Sequence, residues 1–189
     1  MPDSGKPDGA HVPQLLTSDL DVLTTIRNRR SIRRYTGDPI SESQLETILD
    51  AGFCAPSASN RRPWHFVVIR SAARLQEIAA AHPYAKMMPA AGCCIVVCGD
   101  RGLQPAPGLL VEDCSAAIQN MLLAAHGLGL GAVWCGIYVG EDGRHDQFAQ
   151  LLSLPEGVLA VGMIAVGHPA ETKTGTDRFD AARIHQERW

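Results

Sequence analysis

The segment "RNRRSIRRYTG", Arg27 to Gly37, contains five arginines although the whole chain has a formal net charge of only −3. If the segment is extended, alternate side chains share a face. One face would carry Arg29, Ser31, Arg33 and Tyr35, and the other Arg30, Ile32 and Arg34. Guanidinium groups flanking a hydroxyl suit a phosphate monoester, because arginine donates hydrogen bonds in a planar fork to its oxygens. A solvated basic turn is the plainer alternative for this segment alone.

A second polar segment, "APSASNRRPWHFVVI", places Ser57, Ser59 and Asn60 in a turn directly before an apolar run. Their side chains can both donate and accept hydrogen bonds, as the polar edge of a heteroaromatic ring requires. Taken alone the turn is ordinary, because such small polar residues are common in loops.

Length and composition favour one globular domain. The chain has 189 residues, a pI near 6.1 and 46% hydrophobic residues. Mild acidity argues against a dedicated nucleic-acid binder, and the absence of an apolar run of ~18 residues argues against a membrane protein. Residues 1–17 are rich in Pro, Gly and Asp and lack the apolar core of a secretory signal, which predicts a flexible arm and a cytoplasmic location.

Six cysteines suggest neither disulfides nor metal binding. Cys93, Cys94 and Cys98 lie in the apolar run "CCIVVCGD", and Cys54, Cys114 and Cys135 are scattered singly. No CxxC pair occurs, and no Cys or His has the spacing of a zinc site. We expect no metal, and we expect most of the cysteines to be small core residues.

Periodicity predicts mixed helices and strands around these polar segments. Ser18 is a possible N-cap for one helix, and Ser41 with Gln44 forms a capping box for the next. Further helices are predicted from Ser71, over Leu109–His126 and near 146–152. Buried strands are predicted at "WHFVVIR", "CCIVVCGD", "GAVWCGIY" and "GVLAVGMIAVGHP". The final residues are polar except for Phe179, Ile184 and Trp189, so a docking surface such as a partner subunit is expected for them.

Four motifs in this order resemble the nitroreductase family of flavin enzymes. They are "RRSIRRY", "APSASNRRPWHFVVI", "GLGAVWCGIY", and "VGHPAE" followed by "DRF". The resemblance covers about Leu20 to Trp189. It implies an α+β sandwich, with a central, mostly antiparallel sheet flanked by helices, built as an intertwined homodimer. Residues 18–189 would then form a single FMN-binding domain, with 168–189 an extended tail that wraps the partner subunit.

The resemblance also implies how the polar residues bind FMN. Arg29, Arg30, Ser31 and Arg33 match residues that hold the phosphate and part of the flavin edge, and Arg178 matches a further phosphate contact. Pro56, Ser57 and Asn60 match a loop that reaches the FMN of the other subunit, and Lys86 a cation near the pyrimidine end of the ring. Trp134, Cys135 and Gly136 match a segment beside the ring, one of whose backbone amides donates to the flavin N5.

This chain departs from the family pattern at three positions. Arg62 stands where glutamine is common before "PW", Ala58 replaces a small polar residue, and Pro83 replaces an asparagine. The extra charge of Arg62 would favour anionic substrates, unless that side chain pairs with an acidic neighbour.

The resemblance implies an FMN-dependent oxidoreductase in which NAD(P)H and then an electron-poor acceptor, such as a nitroaromatic or a quinone, use one site in turn. No GxGxxG follows a strand, in agreement with nicotinamide binding at the flavin rather than in a Rossmann fold. The cofactor carries the chemistry, so no catalytic side chain is expected, and neither Cys135 nor His65 is expected to take part. Two alternatives stay open: a specialised enzyme of this fold (dehalogenation, dehydrogenation or flavin fragmentation), and a non-catalytic flavin-binding or regulatory protein.

Overall fold

Five α-helices and four strands make up the described residues, 16–137 and 143–189, of the computed structural model. The helices are α1 Val22–Asn28, α2 Glu42–Phe53, α3 Ala72–Ala81, α4 Pro107–Gly127 and α5 Arg144–Leu152. The strands are β1 Trp64–Ile69, β2 Cys93–Asp100, β3 Gly131–Gly136 and β4 Val158–Gly167. All four predicted strands are confirmed in position, so apolar runs bounded by turn residues identified them correctly.

The strands form one sheet in the order β1-β2-β4-β3, and every neighbouring pair is antiparallel. Successive side chains of β2 point to opposite faces, so each face has its own apolar core. Ile95 and Val97 pack with α2 and α4, whereas Cys94 and Val96 pack with α3 and α5. Helices on both faces of an antiparallel sheet confirm the predicted α+β architecture.

The two predicted N-caps fare differently. Ser41 and Gln44 form the expected capping box at the start of α2. The Ser18 cap is wrong, because the carboxylate of Asp21 accepts from the amides of Leu23 and Thr24 and α1 therefore begins at Val22. Ser18 instead accepts from the amide of Leu20, outside the helix.

The basic segment lies along the outer edge of β3. Ser31 bridges Ala132 in parallel orientation, and the Ile32 amide donates to the Ala132 carbonyl at 3.0 Å. Gly131 permits this close approach, because a Cβ there would lie 2.7 Å from Cγ2 of Ile32.

The predicted alternation of faces fails at Tyr35, which is buried in the same core as Ile32 instead of sharing a face with the arginines. Its hydroxyl donates to the Ile32 carbonyl at 2.6 Å and lies 3.2 Å from that of Ala165. The segment is paired only at isolated bridges, so its side chains do not keep a strict two-residue period.

The first part of the C-terminal tail packs on its own chain. The Arg33 amide donates to the Glu171 carboxylate at 2.6 Å, which lowers the pKa of that carboxyl, and Lys173 Nζ donates to the Ser31 carbonyl at 2.7 Å. In the later tail the large apolar side chains are exposed, with Phe179 77% accessible. That 168–189 wraps a partner subunit stays a prediction.

Two further predictions concern the arm and the cysteines. The predicted arm, 1–17, lies outside the described residues except for its last two. Five of the six cysteines are buried, which confirms the expectation for most of them, and Cys54, the C-cap residue of α2, is exposed.

Candidate functional site

A cavity of about 740 Å³ opens at the end of β3. The turn after α3 forms one wall of this cavity. The basic segment and the start of α5 form the other walls. Its lining residues are Arg33, His82, Pro83, Tyr84, Lys86, Met87, Trp134, Cys135, Gly136 and Arg144. The fold thus brings together five residues that the sequence singles out from three separate segments: Arg33, Lys86, Trp134, Cys135 and Gly136.

The backbone of β3 presents the Gly136 amide at the edge of the sheet. The Ile137 amide donates to the Val161 carbonyl at 3.0 Å, so these two residues form a hydrogen-bonded pair. Such pairs alternate along an antiparallel ladder. Cys135 is therefore bonded to Met163, whereas Gly136, opposite Gly162, directs its N–H and C=O away from β4. Since β3 is the last strand of the sheet, the Gly136 amide faces the free edge.

The side chains beside this amide are apolar or weakly polar. Trp134 is 38% exposed. The Cys135 thiol donates to the Tyr84 carbonyl at 3.5 Å, and burial raises its pKa despite the nearby charge of Arg33. A raised thiol pKa favours the protonated, unreactive form.

His65 lies on β1, is 57% exposed in its side chain, and approaches Asp100 at 3.8 Å.

A second cavity, of about 920 Å³, lies between the end of α1 and the tail, and both Arg30 and Arg178 line it. Burial, then the positive charges of Arg178 and Arg30, lower the pKa of Arg29. The pKa of His126 is lowered by burial and by the charges of Arg29 and Arg30. Cations gathered in this way repel one another, which favours binding of an anion among them.

Arg30 has a more structural position than the sequence predicts. Its guanidinium donates to the carbonyls of Arg27 and Arg29, both at 2.7 Å, and to that of Thr174 at 3.2 Å. Its remaining nitrogen, Nη2, is buried and has no hydrogen-bond partner among the described residues. A Cβ at Gly175 would lie 3.1 Å from this atom. Arg30 thus ties the tail to α1 and leaves one buried donor that no described residue satisfies.

Ser31 is half-buried beside β3, and its carbonyl accepts the bond from Lys173 already described. Along the basic segment it stands between Arg30, which lines the second cavity, and Arg33, which lines the first, and it lines neither itself.

The turn that carries Ser57 and Asn60 is strained. Ser59, Asn60 and Arg62 all have positive φ, at 53°, 53° and 47°. Such conformations cost free energy and cluster where function requires them. Pro56 is exposed, and the Ser57 hydroxyl accepts from the Arg62 amide at 2.8 Å.

Asp113 on α4 anchors this turn and is a residue that sequence reasoning missed. Its buried carboxylate accepts from the Ala58 amide at 2.8 Å and from Gln104 at 3.4 Å. None of the residues from 56 to 62 lines either cavity of its own chain.

His82 and Arg144 are the other functional candidates that the sequence did not reveal. Both line the cavity at the end of β3, and they lie 3.1 Å apart. Among the described residues, no group of His, Cys, Asp and Glu could hold a metal ion, and no helix is long and apolar enough to cross a membrane.

The fold and the site define the class of protein in general terms, an α+β protein with an antiparallel sheet and two cavities lined by cationic side chains. Known proteins identify the class more closely. The model of the nitroreductase family matches residues 26–168, and the chain belongs to this family. Family membership, which the motifs predict, is confirmed.

A protein of Methanothermobacter thermautotrophicus, provisionally named an NADH dehydrogenase/NAD(P)H nitroreductase, is 48% identical over 91% of this chain and 90% of its own length. The crystal structure of a Parabacteroides distasonis protein with the same provisional name superposes with a TM-score of 0.84 at 36% identity, covering 89% of this chain and 98% of that one. A provisionally named nitroreductase of Desulfovibrio desulfuricans, solved in complex with FMN, has a TM-score of 0.77 and 38% identity, covering 91% and 99%.

Proposed function

We propose that the protein is an FMN-dependent oxidoreductase that uses NAD(P)H to reduce a small electron-poor acceptor. The observation that carries the proposal is the group of mutually repelling cations around Arg29, with a buried donor on Arg30 that has no partner among residues 16–137 and 143–189. This arrangement fits a phosphate monoester, which offers three acceptor oxygens and about two negative charges. The relatives' names and the FMN complex of a 38% identical structure support the same conclusion.

The residues divide between the two ends of such a cofactor. Arg29, Arg178 and the free donor of Arg30 would hold the phosphate. Arg33 and Lys86 would place positive charge at the ring, and the Gly136 amide would donate a hydrogen bond to it. Ser31 lies in the basic segment between Arg30, at the phosphate end, and Arg33, at the ring end.

When bound, FMN accepts a hydride from NAD(P)H and passes electrons on to the acceptor. The chain's own residues would bind and orient the cofactor and shield it from water. The cations favour negative charge at the ring, the apolar wall of Trp134 and Met87 limits water, and the exposed mouth of the cavity admits the two substrates in turn. No side-chain acid or nucleophile is needed, in agreement with the raised pKa of Cys135.

We further propose that the active form is a homodimer. The turn from Pro56 to Asn60 is strained and firmly anchored, yet it lines neither cavity of its own chain. Ser57 and Asn60 would then contact the cofactor of the partner subunit. The exposed aromatic residues of the late tail would bury their surface on the same partner.

The test begins with the colour of the purified protein. We expect FMN to be bound, or taken up on reconstitution, with its visible absorption bleached anaerobically by NADH or NADPH and restored by a nitroaromatic or a quinone. Colourless protein that FMN cannot reconstitute would refute the proposal. Bound flavin that neither nucleotide reduces would instead favour a non-catalytic flavin-binding protein.

A further inference from the structure

We propose that His82 is a positioning residue, which holds the end of β3 so that the Gly136 amide faces the cavity in a fixed direction. The inference rests on the proposed function, since the amide matters only if a flavin lies beside it. His82 is 1% exposed and follows α3 directly, on the wall of the cavity.

The hydrogen bonds of the ring determine its tautomer. Nε2 lies 2.9 Å from the Gly136 carbonyl, which can only accept. Nδ1 lies 3.2 Å from the Tyr84 amide, which can only donate. A neutral imidazole with its hydrogen on Nε2 satisfies both partners. Arg144 Nη1 also lies 3.1 Å from Nε2 and could donate to this nitrogen only in the other tautomer. That tautomer would lose the bonds to both the Gly136 carbonyl and the Tyr84 amide, so the hydrogen is assigned to Nε2.

Packing fixes the ring in this orientation. Its edge contacts with Tyr84 and Phe148 have centroid distances of 5.9 and 6.3 Å, and Phe148 is fully buried. A side chain held by two hydrogen bonds and two rings loses little further freedom when a ligand binds.

The geometry of β3 transmits this restraint to the amide. In a strand the N–H and C=O of one residue point the same way, and those of Gly136 both point away from β4. Gly136 is the last residue of the strand and has no side chain to restrict its backbone. Pairing with β4 does not restrain the N–H and C=O of Gly136. The hydrogen bond from His82, on the cavity side, therefore supplies this restraint.

Three variants of His82 test the assignment. His82→Phe keeps a ring but removes the donor, whereas His82→Gln keeps an N–H donor at a similar distance from the backbone. His82→Asn also lacks the hydrogen bond, because its amide is too short to reach Gly136. This variant tests the assignment if His82→Phe does not fold.

The measured quantity is the ratio of the dissociation constants for oxidised and reduced FMN, obtained from the midpoint potential of the bound cofactor. We expect Phe and Asn to change this ratio about tenfold, or about 30 mV for a two-electron couple, and Gln to stay near the wild-type value. A purely structural role would lower the melting temperature of all three variants and leave the potential unchanged.

Equal potentials in the wild type and in all variants would overturn the role of His82, as would equal shifts in Gln and Phe. Wild-type protein that binds no FMN would instead refute the proposed function itself, and this inference with it.

Discussion

Replacement of Arg29 by glutamine should change ligand affinity and protein stability in opposite directions. Arg29 is partly buried and close enough to Arg178 and Arg30 for their charges to lower its pKa. A base whose pKa is lower in the folded state than in the unfolded state binds its proton less tightly when folded, so its charge opposes folding at neutral pH. Removing the charge relieves this repulsion in the flavin-free protein, and glutamine keeps part of the aliphatic stem.

The affinity for the cofactor should fall. A lost charge-assisted hydrogen bond to phosphate costs about 1.5–3 kcal/mol, which weakens the Kd for FMN about 10- to 150-fold. We therefore expect a melting temperature of the flavin-free Arg29→Gln protein equal to or above that of the wild type, together with a much weaker Kd.

The assay is fluorescence quenching of FMN by flavin-free protein, with thermal unfolding of the same samples, in a phosphate-free buffer of low ionic strength. Arg34→Gln is the matched control, because Arg34 is exposed, belongs to the same segment and lines neither cavity. Its Kd should stay within about threefold of the wild type, since exposed charges contribute little. A lower melting temperature with an unchanged Kd for Arg29→Gln would refute the phosphate assignment.

Two further predictions concern the cysteines and the tail. Because Cys135 is buried and burial raises the pKa of its thiol, iodoacetamide should modify the exposed Cys54 before Cys135. Cys135→Ala should retain most flavin reduction by NAD(P)H. A hundredfold slower reduction at normal FMN affinity, about 2.7 kcal/mol in the barrier, would implicate the thiol directly. Removal of residues from Asp180 onwards deletes the exposed Ile184 and Trp189 and should weaken the proposed dimer in sedimentation experiments. A Phe53→Ser control, which also removes an exposed apolar side chain, should not weaken the dimer. Unchanged dimerisation of the truncated chain would argue against docking of the tail.

Local patterns predicted the elements well because their causes are local. The Ser41–Gln44 capping box joins residues three apart, and the strands follow from runs of buried apolar residues. Where two causes compete, sequence is a weaker guide. Ser18 and Asp21 are both good N-caps, and the sequence alone does not choose between them.

The site was predicted less completely because several of its contacts are distant in sequence. The bond from His82 to Gly136 spans 54 residues and that from Asp113 to Ala58 spans 55, so no motif could reveal either. Tyr35 departs from the predicted alternation because its hydroxyl finds buried carbonyl partners, which outweighs the two-residue period of an isolated extended segment.

The contact between the basic segment and the tail has a consequence for biosynthesis. The bonds from Arg33 to Glu171 and from Arg30 to Thr174 join residues 138 and 144 apart in the sequence. A ribosome that adds about 5–20 residues per second completes the first partner many seconds before the second emerges. During this interval the Arg33 amide lacks the Glu171 carboxylate, Arg30 lacks the Thr174 carbonyl, and Arg178 is not yet beside them. The proposed anion site therefore forms only after residue 178 has been synthesised, when the last strand of the sheet, β4, has already been made.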